Sequence, residues 1–167
     1  MVKNIIWASI FALIASILQS TVFSNLAIYR AVPDLALGIV VYCAYVNGSM
    51  TGQLSGFFAG ILSDFMSAAP LGLNSLIRTL VGALAGLLKG AFFLDFLLLP
   101  MALCAAATLF KAIVLLLLHF IFSGAIPSYS LTAPTLWIEL AMNVATAPFL
   151  FALLKRFRGL LSERTNR

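Results

Sequence analysis

Charge is what this sequence has least of: among 167 residues only 9% are Asp, Glu, Lys or Arg, too few to cover a water-facing surface. Histidine is nearly missing too. A single His leaves no sequence-visible partner for a nucleophile, which argues against a Ser-His or Cys-His hydrolase. HExxH, the P-loop pattern and GxSxG are absent, and Gly48-Ser49 and Gly124 lack the context of an intramembrane serine protease. The two cysteines, Cys43 and Cys104, lie inside apolar runs without CxxC spacing, so they read as packing thiols, not as a disulfide or metal site. The expectation is a chain with no catalytic, cofactor-binding or metal site, and no enzyme activity.

What is present is apolar. Hydrophobic residues make up 63% of the chain and its mean hydropathy is +1.12. About 20 apolar residues are needed to cross a bilayer, and runs punctuated by Pro, Gly and polar clusters give spans at 5–28, 33–47, 50–67, 71–89, 96–123 and 133–155. The fold class expected is therefore an all-α integral membrane protein with about six transmembrane helices in one bundle. Only Asn47-Gly48-Ser49 separates the second and third spans, so these form a tight hairpin or one of them is re-entrant. The first run outlasts a typical signal core and no A-x-A site ends it.

Basic residues set the orientation. With six crossings and a cytoplasmic N-terminus, Lys3, Lys89, Lys155, Arg156, Arg158, Arg164 and Arg167 lie inside, while Arg30 alone lies outside. Both termini are then cytoplasmic, the membrane domain covers 1–158, and 159–167 form a basic tail. Five of the ten basic residues, Lys155, Arg156, Arg158, Arg164 and Arg167, lie in the last thirteen positions directly after an apolar span, a membrane-lipid signature rather than a nucleic-acid one.

Small residues recur every four positions. Gly52, Gly56 and Gly60 are followed in series by Asp64, and Arg78 is followed by Gly82, Gly86 and Gly90. Such rows return to one helix face and allow close backbone approach. A chain reversal around Leu71 would set 64 opposite 78, 60 opposite 82, 56 opposite 86 and 52 opposite 90, with Asp64 and Arg78 ion-paired. The first helix carries Ala8, Ala12, Ser16 and Ser20 at the same spacing, suited equally to docking a partner helix or to internal packing. Gln19, Ser20, Thr21, Ser24 and Asn25 near its far end are placed to line a shallow outward cavity.

Charges inside spans must face protein, since an unpaired one near the bilayer centre costs at least about 2.5–3.5 kcal/mol. His119 and Glu139 match in depth, which makes them a second structural pair. Lys111, two turns deeper, is the poorer partner for Glu139. With two acids and one histidine divided between helix pairs, these residues read as fasteners between helices rather than a proton relay.

The run from Val32 to Leu73 resembles the MreD family. Pro33-Asp34 opens a helix, a glycine-rich helix ends in Gly60-Ile61-Leu62-Ser63-Asp64, and Leu71-Gly72 closes the following loop. The resemblance implies a non-enzymatic inner-membrane scaffold of the bacterial cell-elongation complex, concerned with peptidoglycan synthesis and cell shape. Its implied partners are an MreC-like single-pass protein, RodA with its class B penicillin-binding transpeptidase, and indirectly MreB. The family is also similar in fold to the S-components of energy-coupling factor transporters, which makes a vitamin-binding membrane protein the alternative.

Overall fold

The computed structural model describes residues 2–21, 31–67, 69–90, 97–122 and 133–161. They form α1 (Val2–Thr21), α2 (Leu35–Asn47), α3 (Ser49–Met66), α4 (Leu73–Leu87), α5 (Leu98–Ile121), α6 (Pro134–Arg156) and a short α7 (Arg158–Leu161). The protein is an all-α membrane protein. α1, α5 and α6 are each long and apolar enough to cross a bilayer, while α2 and α4 are apolar but shorter. The part of the first expected span beyond Thr21 lies outside the described residues, as do Ser24, Asn25, Arg30, Arg164 and Arg167.

Lipid is the solvent that decides which side chains turn outward. Ile6, Ile10, Ile14, Phe57, Phe58, Leu84, Ile113, Leu117 and Phe149 are exposed, whereas most of the polar and ionic groups inside the helices are buried. At the centre stands α2, in which every residue from Ala36 to Ala44 is buried. It has 13 residues, about 20 Å at 1.5 Å per residue, so its N-terminal end begins within the bundle rather than at its rim.

Successive helices reverse direction. Gly48, with φ +105°, is the sole residue between α2 and α3, which resolves that junction as a hairpin. A side chain would be strained in this left-handed backbone. The α3–α4 pair is antiparallel and in direct backbone contact along its glycine rows. A Cβ on Gly52 would strike Gly82 O, one on Gly56 would strike Arg78 O, and one on Gly60 would strike the backbone of Ser75. The rows therefore meet, but in a register different from the one inferred: Gly52 faces Gly82 instead of Gly90, eight residues earlier. Gly90 lies beyond the end of α4 at φ +73° with no atom near its missing side chain, so it takes no part in the row.

Asp64 explains the slide. Its carboxylate accepts from the backbone N–H of Gly72, Asn74 and Ser75 and from Asn74 Nδ2, at 2.9–3.2 Å. Unpaired N–H groups at a helix start favour an acid. By capping α4, Asp64 draws the first turn of that helix alongside the last turns of α3. The expected Asp64–Arg78 pair is accordingly replaced: Asp64 serves α4's backbone, and Arg78 pairs elsewhere.

At the opposite end of the bundle, Asn47 ties three elements together. Its Nδ2 donates to Cys43 O (2.9 Å) and Leu161 O (2.6 Å), and its Oδ1 accepts from Asn4 Nδ2 (3.2 Å). Leu161 is completely buried, so α7 folds back against the helices, and the boundary expected at residue 158 falls at its first residue. The row on α1 is used internally: Ala8 and Ala12 are buried, and Ser16 shares a hydrogen bond of 3.1 Å with Ser63 on α3.

Candidate functional site: a buried ionic cluster beneath a polar cavity

The sequence places Asp34 directly before α2, as its N-cap, with Oδ1 accepting from Leu37 N at 3.0 Å. Because α2 starts inside the bundle, this cap is an ionised group surrounded by protein. Its exposure is 7%. Burial of that kind is tolerable only with counter-charges and hydrogen bonds, and two cations supply them. Arg78 Nη2 reaches Asp34 Oδ1 at 3.2 Å, and Lys111 Nζ reaches Asp34 Oδ2 at 3.0 Å. Lys111 also donates to Glu139 Oε1 at 2.7 Å. Two acids and two bases from the start of α2 and from α4, α5 and α6 thus form one neutral cluster.

Helix geometry delivers each member. A helical side chain leans toward its own N-terminus, so Arg78, whose backbone abuts Gly56, carries its guanidinium toward the start of α4. There Nη1 donates to Ala59 O at 3.2 Å and to Ser63 Oγ. Lys111 and Glu139 meet because α5 and α6 run antiparallel, and one turn farther along the same seam Asn143 Nδ2 donates to Thr108 Oγ1 at 2.9 Å. Asn143 Oδ1 in turn accepts from Asp34 N at 2.7 Å. Among the described residues no buried side-chain polar atom lacks a partner.

The inferred pairs are thereby rearranged. Glu139 takes Lys111, the residue judged its poorer partner, while His119 sits half-buried in the last turn of α5. Sequence reasoning missed Asp34 as the hub. The available signal was an acid immediately before a helix too short to span, but Pro33-Asp34 by itself marks only a helix start.

Above the cluster lies a cavity of about 330 Å³, lined by Gln19 and Ser20 of α1, Ser63 and Ser67 at the end of α3, and Asn74, Arg78, Asp34 and Lys111. Two of the residues expected at an outward cavity, Gln19 and Ser20, are in it. On the lipid side of the α1–α3 seam runs a separate apolar groove of about 520 Å³, bounded by Ile6, Ile10 and Leu13 on one helix and Leu54, Phe58 and Ile61 on the other. Among the described residues no group of three or more His, Cys, Asp or Glu is arranged to hold a metal ion. Cys43 and Cys104 are both free and buried.

These features define a membrane-embedded helical protein with a charge-neutralised core and close glycine packing. The family model for the rod shape-determining protein MreD matches residues 1–157, and the chain belongs to that family. No curated protein and no solved structure matches it.

Proposed function

We propose that this protein is a non-enzymatic scaffold of the bacterial cell-elongation complex, residing in the inner membrane with both termini in the cytoplasm and holding the transmembrane helix of an MreC-like single-pass protein. The observation that carries the reading is membership of the rod shape-determining family over residues 1–157. The architecture supports it: glycine-to-backbone contact between α3 and α4 and a four-residue ionic cluster brace the helices against one another, as a scaffold requires. The excess of basic residues at the end carrying Lys3, Lys89 and Lys155 supports the orientation.

Ala8 and Ala12 are taken up inside the bundle, so the contact with the partner is assigned to the adjoining groove between α1 and α3. Its walls are almost wholly apolar, which suits a single apolar helix in lipid. RodA and its transpeptidase would be reached through that partner, and MreB through the cytoplasmic face. Co-purification of the full chain with an MreC-like protein from membranes tests the reading. Recovery of the pair, lost when Ile10→Trp fills the groove in a chain of unchanged thermal stability, is the expected result. Failure of the wild-type pair to co-purify under conditions that keep both proteins folded overturns it. The alternative of a small-molecule binder has one observation in its favour, the polar cavity over Asp34.

A further inference from the structure

The cavity over the ionic cluster is a polar chamber among helices whose outward faces carry many exposed apolar side chains. At about 330 Å³ it has room for on the order of ten waters at their liquid volume, far more than hydration of the cluster requires. Of the charged residues, Arg78, Lys111 and Asp34 line it. Glu139, the fourth member, stands behind Lys111 on α6 and is not part of the lining. The wall facing the chamber therefore presents both cations and one of the two acids that balance them.

Donor arithmetic points the same way. A lysine has three N–H donors and an arginine five. Lys111 uses two, toward Asp34 and Glu139. Arg78 uses three, toward Ala59, Ser63 and Asp34. One donor of Lys111 and two of Arg78 remain, and the Gln19 amide, half-buried in the same wall, adds two more. The carboxylate in the wall is already engaged, Asp34 accepting from Arg78, Lys111 and Leu37 N, while the Asn74 amide nitrogen donates to Asp64 and Ser67. A chamber whose spare donors belong to two cations selects an acceptor-rich anion. A phosphoryl group, with three or four strong acceptor oxygens, meets donors arriving from α1, α4 and α5 better than a planar carboxylate does.

We propose that this cavity is a binding site for a phosphoryl oxyanion, held by Arg78, Lys111 and Gln19. The site does not depend on the scaffold reading, and a scaffold holding a phosphorylated ligand there remains a scaffold. The group could arrive on a membrane lipid or free in water, and the experiment separates the two sources.

The full chain, purified in a non-ionic detergent, is titrated with inorganic phosphate, with phosphatidylglycerol and with a neutral glucosyl-diacylglycerol, and binding is read from the rise in Tm with ligand concentration and from native mass spectrometry. Saturable stabilisation by phosphatidylglycerol alone assigns a lipid headgroup; stabilisation by both phosphate and phosphatidylglycerol assigns a free oxyanion site. Gln19→Leu removes donors that make no hydrogen bond among the described residues, and Ser20→Phe occupies the chamber from an exposed position on α1. Each variant is expected to keep the ligand-free Tm of the wild type and to bind at least tenfold more weakly. Absence of saturable binding, equal binding of the neutral glycolipid, or unchanged affinity in both variants overturns the proposal.

Discussion

Arg78 and Asp34, 44 residues apart in sequence, meet at 3.2 Å inside the bundle with their side chains 6% and 7% exposed. Neither could be left alone there. Breaking a buried pair by removing one partner costs about 3–5 kcal/mol, because the other charge stays behind. Asp34→Asn is therefore expected to lower the stability of the purified protein by that order, since two cations lose their shared counter-ion. In a double-mutant cycle with Arg78→Met, a coupling of about 0.5–3 kcal/mol is expected. Asp64→Asn combined with Arg78→Met should instead be nearly additive, and thermal unfolding in detergent distinguishes the two cycles.

Lys111 stands between two carboxylates. Lys111→Met is expected to destabilise strongly, and adding Glu139→Gln should recover part of the loss, because the second change removes a negative charge that no longer faces the lysine. Denaturation of the single and double variants under identical conditions checks the order; a double variant less stable than Lys111→Met contradicts it.

The glycine contact yields a graded series. Gly52→Ala, Gly56→Ala and Gly60→Ala each place a methyl group against the backbone of α4, and overpacking of that kind costs about 1–3 kcal/mol. Gly159→Ala, with nothing within 4 Å and no left-handed backbone, should change stability by less than about 0.5 kcal/mol. Comparable tolerance at Gly56 and Gly159 would remove the claim of backbone contact.

Asn47 gives a prediction that needs no stability curve. Asn47→Ala deletes the bond to Leu161 O and releases α7 from the bundle. Trypsin is expected to cut faster after Arg156 and Arg158 in this variant than in the wild type.

The membrane class, the six principal helices and the close approach of the glycine rows were legible in the sequence because each depends on periodicity and composition. Register was not. It is set by Asp64, and an acid at the end of one helix gives no local sign that it will cap the start of the next instead of pairing with the arginine at a matching offset. The partners of the buried charges were obscured for a related reason. Depth counted along each helix suggested Glu139 with His119, but long side chains reach a turn or more along the axis, and Lys111 does so toward both Glu139 and Asp34. Asp34 itself belongs to a helix that starts mid-bundle, a placement visible only once the helices that enclose it are assembled.

The hub at Asp34 also imposes an order on biogenesis. Its first counter-ion, Arg78, is synthesised 44 residues later and its second, Lys111, 77 residues later, so the pairs that neutralise this carboxylate cannot form until α4 and then α5 have been made. The neutral cluster is complete only once α4, α5 and α6 are all in place, which makes it a product of the whole bundle and of no single hairpin.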